Sequence, residues 1–145
     1  MRRLQGIAIC AASLLLPLGT WADGPKDKKG DEIPALRELS AKGVKEVEEG
    51  RALKPTVVKN AKELAKVMTD EAEQARVNKE VNWDKQFLLV FSWGGSGGDK
   101  LTSEVKKGKD APEVVFRYVP GKTFDLRMHT RLYAVRNGVT WKFEK

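Results

Sequence analysis

The feature that most constrains the fold is an apolar run, QFLLVFSW, at residues 86–93. Its odd-numbered positions from 87 to 93 are apolar or aromatic, and Leu88 and Val90 between them are apolar as well. Successive side chains of a strand point to opposite faces, so this strand is buried on both of them. The run therefore predicts a strand in the middle of a sheet.

A second strong signal is RLYAVRNGVTWKF at residues 131–143. Asn137–Gly138 between two alternating runs is the preferred pair for a type I′ hairpin. Strand pairing across that turn places Arg136 opposite Val139. Two positions farther from the turn, Ala134 is opposite Trp141. In that register Leu132, Ala134, Trp141 and Phe143 share one face, and we expect that face to be the core.

Two other segments are rich in β-branched or aromatic residues and predict strands. They are residues 56–59 and the run EVVFRYV at 113–119, which closes at the turn signal Pro120–Gly121.

Helices are predicted in the N-terminal half. Residues 33–43 (IPALRELSAKG) suit a short helix, with a proline near the first turn and a glycine as the stop. Asn60 caps a second helix, and Glu63 three residues later completes a capping box. Asp70 caps a third. Because the helices precede most of the strands, we expect an α+β domain with short N-terminal helices packed on a mainly antiparallel C-terminal sheet.

The first residues match a secretory signal peptide. Arg2 and Arg3 precede the apolar stretch at 7–18, and small residues favour cleavage between Ala22 and Asp23. The stretch is shorter than the roughly 20 residues that a membrane-spanning helix needs. We therefore expect an exported protein, periplasmic or secreted, with no transmembrane segment in the mature chain. Its organisation is a signal peptide (1–22), a disordered leader (23–31) and a single domain (32–145).

Cysteine content and charge exclude several classes. The single cysteine, Cys10, lies in the signal peptide, so the mature chain has no disulfide, cysteine nucleophile or thiolate metal site. The formal net charge is +7, but lysines alternate with glutamates as on a solvated surface. With export added, we expect no nucleic-acid partner.

The glycine loop in FSWGGSGGDKL (91–101) fits one catalytic template. GGSGG matches the nucleophile elbow G-x-S-x-G with Ser96 as nucleophile, and Asp110 or Asp125 and then His129 follow in the order of a triad. An elbow needs a helix directly after the serine, and GGDKLTSEVKKG is a poor helix. Geometry, rather than order, defines a triad.

The same loop fits a calcium template. Gly94 to Thr102 satisfy the nonapeptide G-G-x-G-x-D-x-U-x, but one copy cannot supply the six to eight oxygens that calcium takes. The phosphate-binding spacing G-x-x-x-x-G-K-[ST] is not met. No cofactor is therefore expected. We expect these glycines to adopt positive φ where the chain leaves the central strand, and the tip to serve as a binding loop.

A basic strand face is the second candidate for binding. Arg127, His129, Arg131 and Tyr133 alternate and so point the same way, and Arg117 joins them if the strands pair. Such a row can hold a carboxylate or phosphate, or it can be the solvated outer face of a sheet. His129 is the only histidine, which excludes a multi-histidine metal site.

The strand FLLVFSW followed by the glycines GGSGG resembles the apolar strand and TGGY-like loop of small exported bacterial domains of the PrcB C-terminal type. The resemblance covers residues 85–145, and Asp99 stands where an aromatic residue is expected. Such domains are linked to stabilising or inhibiting proteases. The resemblance implies protein–protein contact through the loop tip and carries over no catalytic residue.

We therefore expect an exported, non-catalytic domain that binds another exported or envelope protein. One alternative is a small-molecule or anion binder, and a second is a serine-dependent hydrolase using Ser96. The candidate binding residues are Gly94, Gly95, Ser96, Gly97, Gly98, Asp99, Lys100, Arg117, Arg127, His129 and Arg131.

Overall fold

The computed structural model describes residues 32–45 and 54–144, so the predicted signal peptide and leader lie outside the described residues. Within those two ranges the chain forms an α+β domain dominated by sheet, and no helix in them is long and apolar enough to cross a membrane. The elements in chain order are β1 (Leu36–Leu39), β2 (Thr56–Val58), α1 (Ala61–Val67), α2 (Glu71–Glu80), β3 (Gln86–Ser96), β4 (Lys100–Lys106), β5 (Glu113–Val119), β6 (Leu126–Arg136) and β7 (Thr140–Glu144).

The strands form two sheets. The larger has the order β1-β6-β3-β2 and is antiparallel throughout. The smaller has the order β4-β5-β7, with β4 antiparallel and β7 parallel to β5. The predicted central position of the 86–93 run is confirmed, because β3 lies between β6 and β2.

Local capping explains where both helices begin. The side chain of Asn60 accepts a hydrogen bond from Glu63 N at 3.0 Å, and the Glu63 carboxylate accepts one from Lys59 N at 2.7 Å. The Asp70 carboxylate accepts from Ala72 N at 2.9 Å and from the next residue's amide. Both predicted caps are confirmed, since each satisfies amides that have no partner within the helix.

The predicted helix at 33–43 is wrong. Leu36–Leu39 form β1, which pairs with β6 so that Leu36 faces Val135 and Leu39 faces Leu132. A single short helix is marginal by itself, whereas the open edge of β6 offers a full set of backbone hydrogen bonds. The helices of the domain therefore lie between β2 and β3 rather than at its N-terminal end.

The larger sheet is covered on both faces. On one face Leu64 of α1, Val77 of α2 and Met68, which directly follows α1, pack on Leu88 and Ala134 of the sheet. The other face packs against the smaller sheet, giving three layers in the order helices, larger sheet, smaller sheet. This second core consists of Leu89, Phe91, Trp93, Leu101, Val114, Phe116, Tyr133, Val135 and Val139.

The predicted hairpin pairing is wrong, although the turn itself is present. Gly138 has φ +83°, and Val139 N donates to Arg136 O at 3.1 Å. The chain then leaves β6 and enters the other sheet, where β7 runs parallel to β5 with Trp141 beside Val114. β6 cannot accept β7, because β1 and β3 already occupy both of its edges.

The shared core face predicted for this segment is wrong for the same reason. Leu132 and Ala134 pack beneath the helices, whereas Trp141 and Phe143 pack against the core between the two sheets.

Candidate functional site

The glycine loop links the two sheets at one end of the domain. β3 ends at Ser96, opposite Leu126 at the start of β6, and the chain turns to enter β4 at Lys100, opposite Val119 at the end of β5. The loop therefore lies against the connection from β5 to β6. We call residues 94–100 and 119–127 together the tip.

Ser96 is the centre of hydrogen bonding in the tip. Its hydroxyl lies 2.6 Å from the Thr123 hydroxyl and accepts from Thr123 N at 3.1 Å and from Gly98 N at 3.3 Å. The His129 ring meets the Ser96 carbonyl oxygen instead, with Nε2 at 2.8 Å. The serine hydroxyl thus contacts a threonine, and the order Ser–Asp–His does not correspond to an assembled triad.

Asp99 is buried, with 7% of its surface exposed. Its carboxylate accepts from Gly121 N at 2.7 Å and from the Tyr118 hydroxyl at 2.5 Å. These bonds tie the loop to β5 and to the connection that follows it. The aspartate of the calcium-like motif thus already has protein partners, and the described residues contain no cluster of three or more His, Cys, Asp or Glu side chains suited to a metal ion.

Several opposing effects set the pKa of Asp99. Burial raises it most, but the hydrogen bonds from Tyr118 and Gly121 lower it, and contact with Trp93 and the charge of His129 act in the same direction. The Trp93 indole N–H is buried without an acceptor in good geometry among the described residues, yet it lies close enough to favour the charged carboxylate. The net pKa lies below its ordinary value.

Aromatic packing supports the tip from beneath. The His129 ring stacks on Trp93 with centroids 4.9 Å apart and an interplanar angle of 14°. Trp93 is 2% exposed and meets the Tyr118 ring edge-on at 6.4 Å. His129 is thus a packing residue between sheet and loop.

The glycines of the tip are explained by neighbouring atoms that leave no room for a side chain, rather than by a positive φ. Among the described glycines, positive φ occurs at Gly43 and Gly138, so the expectation of positive φ in the loop is wrong. A Cβ on Gly95 would overlap the Asp99 carboxylate. A Cβ on Gly121 would lie 2.6 Å from the Gly98 Cα, since the two backbones touch there. The tip is therefore packed tightly.

The arginines of the predicted basic face have separate acidic partners. Arg127 pairs with Asp125 at 2.6 Å and Arg131 with Glu38 at 2.9 Å. Arg117 lies on β5 in the other sheet, where it pairs with Glu144 at 2.8 Å. The strand pairing that would have brought Arg117 to the row is not formed.

Tyr133, the last residue of that row, is 2% exposed. Burial is the main reason why its pKa is raised, and the negative charge of Glu38 raises the pKa further. Tyr133 is thus part of the core, so the alternative of a solvated face does not hold at this end of the row. Lys100 is exposed at the start of β4.

The sequence analysis missed two apolar residues that lie on the surface of the tip. Phe124 is fully exposed, and Leu126 is 83% exposed. Val119, at the end of β5 in the same tip, is 49% exposed. The signal that could have revealed them is the pair of apolar residues in KTFDLR (122–127), a short polar segment directly after Pro120–Gly121.

The fold and the tip define a two-sheet α+β domain with an exposed apolar projection at one end. No protein-family model, curated protein or solved structure matches the chain. The geometry of the tip is therefore the basis for inferring function.

Proposed function

We propose that this protein is an exported, non-catalytic binding domain that contacts a partner protein through the tip. The observation that carries the proposal is the exposure of Phe124 and Leu126, two large apolar side chains that lie two residues apart where the connection from β5 enters β6. Apolar surface left in water costs free energy that a partner can recover by covering it. Exposed apolar groups gathered in one place commonly mark interaction sites.

The surroundings of these two side chains have the composition of a protein interface. Lys122 is exposed two residues before Phe124, and Lys100 is exposed at the loop end of β4, within the same tip. An apolar centre with a charged rim is the usual anatomy of such a contact, and an aromatic residue is a common anchor. The cationic rim favours a partner whose binding groove is apolar with acidic residues around it.

The supporting network lowers the cost of binding. Ser96, Asp99 and Thr123 hold the loop and the connection together through the hydrogen bonds described above. A segment that is already ordered loses less conformational entropy when it docks. The resemblance to domains of the PrcB C-terminal type implies contact through the glycine loop, and the predicted signal peptide implies an exported or envelope partner.

The two alternatives have less support. An anion bound at the basic row has to displace Asp125 from Arg127 and Glu38 from Arg131. A hydrolase needs a base on Ser96, whose hydroxyl contacts Thr123.

A pull-down with mature 23–145 tests the proposal, using the envelope and secreted fractions and identification by mass spectrometry. We expect a protein that is captured by wild type and lost with the double variant Phe124→Ser, Leu126→Ser. Because both side chains are exposed, the variant should keep its free energy of unfolding within about 0.5 kcal/mol.

The matched control is Val105→Ser, which removes an exposed apolar side chain, 48% exposed, from β4 outside the tip. It should capture the partner as wild type does. Equal capture by the double variant and wild type contradicts the proposal. Binding of purified protein to phosphatidylglycerol vesicles, lost in the same double variant, would assign the tip to lipid instead.

A further inference from the structure

A second candidate site lies at the other end of β3. A cavity of about 360 Å³ opens there, lined by the aromatic residues Trp83, Phe87 and Trp141, the amides Gln86 and Asn137, and Lys59. β3 begins at Gln86 and ends in the tip at Ser96. At ~3.3 Å per residue, the strand separates the two places by about 33 Å. The cavity is therefore independent of the tip.

The walls of the cavity come from separate parts of the chain that are tied together. Asn137 in the turn before β7 donates through its backbone amide to Lys85 O at 2.8 Å and through Nδ2 to Asp84 O at 3.0 Å. These bonds join the β6–β7 turn to the turn before β3. Trp141 packs at the edge of the core between the sheets, and Trp83 packs against the core under the helices. The cavity is thus formed in advance by the fold.

The lining keeps unused hydrogen-bonding capacity. Gln86 is 4% exposed, and its Oε1 accepts from Asn82 N at 3.1 Å, while its Nε2 has no acceptor in the described chain. Asn137 uses Nδ2 as a donor, and no donor within residues 32–45 and 54–144 reaches its Oδ1. These two amides thus leave one donor group and one acceptor for a ligand.

Lys59 is the charged residue of the lining, and it makes no ion pair with any residue that the structure describes. Its ammonium group therefore favours a ligand with a negative charge.

The chemistry of these groups limits the ligand. Three aromatic side chains suit a ring with apolar C–H faces, whereas the two amides require hydroxyl or amide groups on the same molecule. A purely aromatic ligand would leave the buried amide of Gln86 without a partner, which is costly. A bare phosphate would not use the aromatic walls. The volume is near the lower end of the 300–1,000 Å³ typical of small-molecule sites, which favours one or two rings.

We propose that this cavity binds an acidic saccharide, a sugar ring that carries a carboxylate. The ring packs against the aromatic walls, its hydroxyl groups bond with Gln86 and Asn137, and its carboxylate pairs with Lys59.

The test is ligand binding by the purified protein, followed by tryptophan fluorescence and by NMR of the indole N–H signals. The probes are glucuronate, neutral glucose as the matched sugar, and acetate as the matched carboxylate. We expect glucuronate to bind with shifts at Trp83 and Trp141, glucose to bind about tenfold more weakly, and acetate to leave both signals in place. Tenfold is the size expected for one charge-assisted hydrogen bond.

Variants test whether Lys59 and Asn137 bind the sugar. Lys59→Gln should bind glucuronate no better than glucose, while Lys62→Gln, on the exposed side of α1, should bind as wild type does. Asn137→Ala should weaken both sugars. Since Lys59 is exposed, its variant should remain folded.

Three results would overturn the proposal. They are no binding of glucuronate, equal shifts with acetate, and glucuronate binding that is indifferent to Lys59→Gln. The double tip variant should bind glucuronate normally, so failure at the tip and failure at the cavity are distinguishable.

Discussion

The ring of His129 lies flat on the indole of Trp93, with centroids 4.9 Å apart, while its Nε2 lies 2.8 Å from the Ser96 carbonyl oxygen. One side chain of β6 thus contacts both the buried Trp93 and the backbone of Ser96, which lies three residues farther along β3 in the glycine loop. The only histidine of the chain is a bridge between core and tip.

Replacement of His129 by alanine should therefore destabilise the domain. Loss of a stacked pair costs about 0.5–1.5 kcal/mol, and loss of one hydrogen bond costs about as much. We expect the free energy of unfolding to fall by about 1–3 kcal/mol in urea titration, with a change in tryptophan emission. Arg131→Ala breaks an exposed ion pair and should cost no more than about 1 kcal/mol. Equal losses for the two variants contradict the bridging role.

Asp99→Asn should weaken the tip. Asparagine keeps the shape but removes the charged acceptor for Tyr118 and Gly121. Hydrogen bonds to a buried charged group contribute about 1.5–3 kcal/mol, so we expect a loss of that size in the free energy of unfolding. Asp110→Asn, at an exposed position, should change it by less than about 0.5 kcal/mol. Wild-type stability of Asp99→Asn would show that the carboxylate is not the anchor.

The tip should loosen in acid because of Asp125. Hydrogen bonds from the Thr123 hydroxyl and then from Gly97 N lower the pKa of Asp125 from 3.8 to about 2, and Arg127 adds to the effect. Because the pKa is lower in the folded state, the charged Asp125 carboxylate stabilises the fold. This stabilisation is complete above pH 3.8 and is lost as the pH falls through about 2.

NMR titration of the Asp125 carboxyl carbon and the Gly97 amide should show a common midpoint near that value. In Asp125→Asn the titration of the Gly97 amide should disappear. A Gly97 shift that stays unchanged over this range would contradict the assigned hydrogen bond.

Gly121→Ala should be harmful although its φ is not positive. The added Cβ would lie 2.6 Å from the Gly98 Cα, and neither backbone can move away easily. We expect a loss of about 1–3 kcal/mol in the free energy of unfolding, as for other overpacking changes. Gly138→Ala is the matched control. Its added Cβ has no atom within 4 Å, so the variant is destabilised only by the strain of alanine at a positive φ. The Gly121 variant should also lower binding at the tip, whereas the Gly138 variant should not.

Local signals in the sequence predicted the features that depend on neighbouring residues. Asn60 and Asp70 marked the helix starts correctly, because a cap acts on amides two or three residues away. The central position of β3 was also predicted, because an apolar run with two buried faces has few other places to lie.

Features that depend on distant partners were not predicted. Residues 36–39 became a strand because β6 had a free edge, and residues 140–144 joined the other sheet because that edge was then taken. In the tip, Gly95 is required by a carboxylate four residues later and Gly121 by a backbone 23 positions earlier, at Gly98. The glycines of the loop are thus explained by close packing, and the positive φ that we expected there is absent.

By itself, the sequence determined the α+β class, the helix starts, the buried central strand and the region of the loop, because these follow from side-chain periodicity and short-range hydrogen bonds. Only the tertiary structure decided which strands pair, that Phe124 and Leu126 project into solvent, and that Trp83 and Trp141 face one cavity. Burial and strand pairing depend on which edges and faces remain open after the rest of the chain has packed, and no local pattern records that.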